Sequence, residues 1–114
     1  MEGLKRTTVT VMVSNLDTAV SFYTEQLGLK LIKRYGEHYA EIATPGFSIG
    51  LHPTSEPIIK GNNLSIGFGV GDLDLNLKRL QAKEIKYRVV QDGPSRLAHF
   101  YDQDGNPLYM IEVE

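Results

Sequence analysis

The 114-residue chain has no cysteine, no long apolar run and no excess of basic charge. The absence of cysteine excludes disulfides, thiol catalysis and cysteine-ligated metal sites, and it fits a reducing compartment. The longest apolar run covers only residues 108–111, whereas a transmembrane helix needs about 20 residues. A formal net charge of −2 predicts no face for nucleic acid. Because the first six residues also lack an apolar signal-peptide core, we expect a cytoplasmic protein that binds neither nucleic acid nor membrane.

The chain does contain an internal repeat. The segment Val-Ser-Asn-Leu-Asp at residues 13–17 matches Val-Gly-Asp-Leu-Asp at residues 70–74, and the two copies lie 57 positions apart. This offset is half the length of the chain, so the pattern indicates a duplicated unit rather than a long array of repeats. We therefore predict a single domain, 1–114, made of two modules at about 1–57 and 58–114.

The first module is predicted to contain one strand, one helix and three further strands. Residues 6–14 alternate with a period of two, which is typical of a strand. Asp17 is the predicted N-cap of the helix, and Gly28 is its predicted left-handed end. The three following strands are expected at 29–35, 38–43 and 47–52, separated by glycine-containing turns.

The second module repeats this order after a connector at 53–63. Its first strand is expected at 63–70, and its helix is capped near Asp72 or Asp74. Glu84 stands where a glycine ends the first helix, so we expect that helix end to be strained or shifted. The last three strands are expected near 85–91, 96–101 and 107–113.

The predicted fold class is α+β, with two tandem βαβββ modules forming a curved mixed sheet around a central cleft. Each helix has an apolar stripe, which we assign to the core. The uncovered side of the sheet is then the expected ligand site.

Two motifs resemble a known family. Residues 13–23, VSNLDTAVSFY, followed by Leu-Gly-Leu at 27–29, closely resemble the opening of the vicinal oxygen chelate superfamily. This superfamily includes glyoxalase I, bleomycin resistance proteins and extradiol dioxygenases. Residues 100–107, FYDQDGNP, resemble the F-x-D-P-D-G-N hairpin of the family, with Gln103 in place of proline. The resemblance covers both modules and implies paired βαβββ modules around a cleft, in a homodimer.

The resemblance also identifies the positions where metal-dependent members bind a divalent ion. Those members use His, Gln or Glu on the first and last strands of each module. Carried onto this sequence, the four positions hold Thr8, Gly50, Ser65 and Tyr109. Neutral hydroxyls are poor ligands for a divalent ion, and glycine offers no side chain. We therefore expect no metal and no other cofactor, which favours a binding protein over an enzyme.

The alternation of side chains along each predicted strand places small, hydroxyl-bearing and apolar side chains in the expected cleft. Such a lining favours a small organic ligand that is held by shape, by stacking on Tyr109 and by a few hydrogen bonds. Ligand sequestration or resistance is the role we expect, and no catalytic residue is identified. The predicted lining consists of Thr8, Thr10, Met12, Ser48, Gly50, His52, Ser65, Gly67, Gly69, Tyr109 and Ile111.

Two alternatives remain open at this point. A metal-dependent lyase, isomerase or dioxygenase would need a displaced site that uses His52, His99 or Glu112. Side chains alternate between the two faces along a strand, so those of Glu112 and Tyr109 should lie on opposite faces. We therefore expect the Glu112 side chain to point away from the cleft. A domain whose cleft is filled by its own side chains would instead serve dimerisation or partner binding.

Overall fold

The computed structural model describes residues 1–61 and 63–113. The chain divides into two compact units, Met1–Ile59 and Lys60–Glu114, and each contains one four-stranded sheet. Asn62, in the predicted connector, and Glu114 lie outside the described residues. The α+β class and the βαβββ modules are confirmed, and the eight strands found in the described residues are divided equally between two mixed sheets.

The first unit contains four strands and one helical segment. The strand order in its sheet is β1-β4-β3-β2, where β1 and β4 are parallel and the other neighbours are antiparallel. The elements are β1 (Thr8–Val13), α1 (Leu16–Ser21) with a π-helical turn (Phe22–Gln26), β2 (Lys30–Tyr35), β3 (Tyr39–Ala43) and β4 (Ser48–Pro53).

The second unit repeats the same topology. Its strand order is β5-β8-β7-β6, and β5 is again parallel to the last strand of the unit. The elements are β5 (Ile66–Val70), α2 (Leu73–Ala82), β6 (Tyr87–Asp92), β7 (Ser95–Tyr101) and β8 (Pro107–Glu112).

Both helices begin at a side-chain cap. The Asn15 side chain accepts a hydrogen bond from the backbone N–H of Thr18 at 2.9 Å. The prediction of Asp17 as the cap is therefore wrong, because Leu16 is already helical and buried and Asp17 falls in the first turn. In the second unit Asp72 is the cap, as predicted, and it accepts from a backbone N–H at 3.0 Å.

The two helices end differently. Gly28 has a φ of +79°, which confirms the predicted left-handed position after the first helix. Before it, the N–H of Leu27 donates to the carbonyl of Phe22 at 2.9 Å, so the last turn is π-helical where a plain α-helix was expected. Glu84 has a φ of +60°, which confirms the expected strain because only glycine adopts this region without steric cost.

Each unit buries an apolar core between its helix and one face of its sheet. The ion pairs of Arg34 with Asp17 at 2.7 Å and of Arg96 with Asp74 at 2.9 Å show which strand positions face the helices. In the part of the chain that the structure describes, no helix has the length and apolarity needed to cross a membrane. The core residues include Val11, Val13, Leu16, Ala19, Tyr23, Ala40, Ile42, Ile49 and Leu51 in the first unit, and Leu73, Leu77, Leu80, Ala98, Phe100, Leu108 and Met110 in the second.

Candidate functional site

In the first unit, the predicted site residues share the sheet face opposite α1. Arg34 faces α1 and pairs in register with Ala40, so Ala40 and its register partners in the sheet also face that helix. The neighbouring positions along each strand point to the opposite face, because successive side chains alternate. The register pairs on this opposite face are Thr8 with Ser48, Thr10 with Gly50, and Met12 with His52.

In the second unit, the corresponding face lies opposite α2. The backbone N–H of Leu73, the first residue of α2, donates to Glu112 Oε1 at 2.9 Å, so Glu112 lies on the helix side as its parity predicted. Ser65 is exposed and lies one residue before β5, outside the ladder. The predicted residues that the structure brings together opposite α2 are Gly67 with Tyr109 and Gly69 with Ile111.

Gly50 provides the space for an aromatic ring. A Cβ built on Gly50 would overlap the Tyr39 hydroxyl oxygen and would lie 2.7 Å from Tyr39 Cζ. The ring centroids of Tyr39 and His52 are 6.5 Å apart in an edge-on arrangement. The face opposite α1 therefore carries a tyrosine–histidine pair directly above a glycine.

The second sheet has a similar arrangement, built from different strands. A Cβ on Gly67 would overlap the Cζ and hydroxyl oxygen of Tyr109, and the rings of Tyr109 and His99 lie 5.9 Å apart. A tyrosine ring therefore fills the space beside Gly67, as another does beside Gly50.

A buried carboxylate on the face opposite α1 was missed by the sequence analysis. The Glu41 side chain is only 2% exposed, and it accepts a hydrogen bond from the Ser48 hydroxyl at 2.7 Å. Arg6 pairs with the same carboxylate at 2.9 Å. The predicted lining was taken from the first and last strands of each module, whereas Glu41 lies on β3 opposite Gly50. A glutamate within the apolar stretch Ala-Glu-Ile-Ala was the available signal.

The four positions implied for a metal do not fit a divalent ion. The hydroxyls of Thr8 and Ser48 are hydrogen-bonded to each other at 2.9 Å, and the space above Gly50 is taken by a ring. Tyr109 lies over Gly67, and Ser65 precedes its strand. Uncharged oxygens and a glycine are a poor donor set for such an ion.

The structure also does not assemble the alternative metal ligands. His99 and Glu112 lie on opposite faces of the second sheet, since His99 pairs with Tyr109 in register. The Nδ1 atom of His52 lies 3.0 Å from the carbonyl oxygen of Pro53. Over residues 1–61 and 63–113, no three His, Cys, Asp or Glu side chains form a group that could hold a metal ion.

The Asp102-to-Asn106 segment is a hydrogen-bonded hairpin turn. Asp102 is buried, and one of its carboxylate oxygens accepts from the backbone N–H groups of Asp104 and Asn106, each at 2.9 Å. The Asn106 side chain donates to the other oxygen at 2.8 Å. These acidic and amide groups therefore stabilise the connection between β7 and β8.

Comparison with known proteins agrees with this architecture. The model of the Glyoxalase/Bleomycin resistance protein/Dioxygenase superfamily matches residues 5–110, so the chain belongs to this superfamily. No curated protein matches the chain.

Solved structures with the same fold differ in what they do. TnmS3, an antibiotic binding protein from Streptomyces sp. CB03234, is 25% identical over 100% of this chain and 99% of its own, with a TM-score of 0.81. Lactoylglutathione lyase from Agrobacterium tumefaciens is 17% identical over 98% of this chain and 96% of its own, with a TM-score of 0.77. The oxidase ChaP-H2 is 18% identical over 98% of this chain and 95% of its own, with a TM-score of 0.78. Because the fold serves binding, lyase and oxidase proteins, the function must be argued from the site.

Proposed function

We propose that the protein binds a small organic molecule with a planar aromatic group, and that it does so without a metal ion. The observation that carries this proposal is the tyrosine–histidine pair above a glycine, which occurs on the face opposite the helix in both units. Sequestration of the ligand, without chemical change, is the role that follows from such a surface.

The ring of Tyr109 is well suited to hold an aromatic ligand. It is held in place by the second sheet, because Gly67 lets it lie close to the backbone of β5 and His99 contacts it from β7. It nevertheless remains partly exposed. A ring that is already fixed loses little conformational entropy on binding, so more of the stacking energy contributes to affinity. Aromatic pairs contribute about 0.5–1.5 kcal/mol beyond the area that they bury.

The relationship to TnmS3 supports a binding role. That protein is described as antibiotic binding, and its chain is covered almost completely by this one. Aromatic side chains, small residues and a few polar groups are the usual composition of small-molecule sites. The poor donor set at the four metal positions argues against the lyase and dioxygenase alternative for this chain.

The proposal predicts a specific effect of removing Tyr109. A library of uncharged planar aromatic compounds is screened by thermal shift, and the dissociation constant of the best compound is measured by calorimetry. A ligand at 100 times its dissociation constant stabilises the folded state by about 2.7 kcal/mol, which a thermal scan detects readily. We expect Tyr109→Ala to weaken binding about fivefold, because the variant loses about 1 kcal/mol of stacking.

Tyr87→Ala is the matched control. Tyr87 lies in the same sheet and is also half-buried, but its hydroxyl accepts from Gln81 of α2, so it belongs to the helix side. Its removal should leave the dissociation constant unchanged. If no compound stabilises the wild-type protein, or if both variants bind equally well, the proposal is wrong.

A further inference from the structure

The face opposite α1 holds a carboxylate, that of Glu41, which is hydrogen-bonded to the sheet through a chain of two hydroxyls. Ser48 donates its hydroxyl hydrogen to Glu41 Oε2 at 2.7 Å. The hydrogen bond between Thr8 and Ser48, at 2.9 Å, must then be donated by Thr8. Each of the two hydroxyls has therefore already donated its one hydrogen. The negative charge of Glu41 must be balanced by a cation.

The cation that balances Glu41 comes from outside the sheet. Arg6 lies in the segment before β1, where the structure has neither helix nor strand, and its Nη1 contacts the two carboxylate oxygens at 2.9 and 3.2 Å. The Arg6 side chain is 66% exposed, while that of Glu41 is 2% exposed. The ion pair thus joins a solvent-facing group to a buried one, and a soluble cation could approach Glu41 by the same route.

The neighbouring lysine, Lys33, contacts an aromatic ring instead of the Glu41 carboxylate. Lys33 is the register partner of Glu41 on β2, but its Nζ lies 4.8 Å from the ring centroid of Tyr35. At the exposed end of this ion pair, holding the long Arg6 side chain in one place costs entropy, whereas an unpaired buried carboxylate is costly. Exchanging Arg6 for another cation should therefore cost the protein little, but removing the cation altogether should be unfavourable.

We propose that Glu41, supported by Ser48 and Thr8, is a subsite for a protonated amine or guanidinium group of the ligand, and that Arg6 occupies it in the free protein. The inference rests on the proposed function in taking an organic molecule as the occupant. Tyr39 lies on the same face, over the glycine that is the register partner of Glu41. The ligand class is then an aromatic compound with a basic group. Arg6 acts as an internal competitor that such a group displaces.

The subsite is tested with ethylguanidinium, which has no aromatic ring and so reports on Glu41 independently of the stacking surfaces. Binding is followed by two-dimensional NMR in the wild type, Arg6→Ala and the double variant Arg6→Ala/Glu41→Gln, each shown to be folded by circular dichroism. If Arg6 occupies the carboxylate in about nine of ten molecules, its removal lowers the apparent dissociation constant about tenfold. The double variant should lose this gain, and the uncharged isostere ethylurea should show none.

Arg34→Ala is the matched control for the loss of an arginine. Arg34 also pairs with a carboxylate, that of Asp17, but the Asp17 side chain is largely exposed. Its removal should therefore not increase ethylguanidinium binding. The subsite is refuted if Arg6→Ala binds no more tightly than the wild type, or if the double variant or Arg34→Ala shows the same gain.

Failure of this inference can be told apart from failure of the proposed function. If uncharged aromatics bind through Tyr109 while Arg6→Ala does not change ethylguanidinium binding, the subsite is wrong and the aromatic site stands. If ethylguanidinium binds as expected but no aromatic compound does, Glu41 is a cation site and the proposed aromatic ligand is wrong.

Discussion

At the residue scale, two glycines determine what the sheets present to a ligand. Gly50 and Gly67 each have a tyrosine ring in the space where a Cβ would stand. Glycine weakens a strand by roughly 0.5–1 kcal/mol relative to alanine, so its presence here needs a compensating gain. The gain we identify is an aromatic ring placed close to the backbone of the neighbouring strand.

Adding one methyl group at Gly67 should disrupt this arrangement. Gly67→Ala forces Tyr109 away from β5, and we expect it to lower the free energy of unfolding by about 1–3 kcal/mol, as overpacking does. The measurement is urea denaturation followed by circular dichroism. Gly71→Ala is the control, since a Cβ there meets nothing within 4 Å, and it should stay within about 0.5 kcal/mol of the wild type.

The mechanism behind this prediction can also be tested. If the cost of Gly67→Ala arises from overlap with the ring, then adding Tyr109→Ala should remove most of that cost, and a double-mutant cycle would show a strong coupling. Equal stability of Gly67→Ala and the wild type would contradict the account of this glycine.

Part of the candidate site could be predicted from local sequence patterns, and the rest could not because it depends on contacts between strands. Alternation along a strand is a local property, so the residues of β1 and β4 were assigned to one face correctly. The contacts of Tyr39 and Glu41 depend on the register between β3 and β4, which period-two alternation alone does not give. Arg6 reaches Glu41 from 35 positions away in the chain, and no local pattern indicates such a contact.

At the element scale, turn and cap chemistry accounts for where the helices start and stop. Asn15 and Asp17 are both good N-caps, and the choice between them depends on which residue first enters the helix. The π-helical turn at Phe22–Gln26 leaves Tyr23 buried, so the apolar pattern alone did not distinguish it from an α-helix. The strand bounds were predictable within a few residues because period-two alternation and turn glycines are strong local signals.

The end of α2 provides a stability test at this scale. Glu84 has a φ of +60°, and a side chain in this region costs about 1–2 kcal/mol, partly offset by the greater flexibility of glycine in the unfolded chain. We therefore expect Glu84→Gly to raise the free energy of unfolding by about 0.5–1 kcal/mol in chemical denaturation.

The adjacent residue serves as the control for this substitution. Lys83 has a φ of −90°, so Lys83→Gly gains no relief of strain and should destabilise the protein. A destabilising effect of Glu84→Gly would show that the carboxylate side chain contributes more than the backbone strain costs.

At the scale of the whole molecule, the repeat and the two motifs were sufficient to identify the superfamily. They were not sufficient to identify the function, because the same fold is found in a lyase, an oxidase and an antibiotic binding protein. We propose that the function of this chain depends on the few side chains on the face opposite each helix. In this chain those positions hold tyrosines, glycines and hydroxyls. The homodimer that the resemblance implies stays a prediction.

The most direct test of the account is the affinity for an aromatic ligand with and without divalent metal. Protein treated with a chelator is titrated by calorimetry with the best aromatic compound, and the titration is repeated after adding Zn²⁺, Ni²⁺ or Mn²⁺. We predict the same dissociation constant in every titration, because neutral hydroxyls and a glycine are a poor donor set for these ions. Binding that appears only after a metal is added, at one ion per chain, would contradict the account and make a metal-dependent enzyme the better description.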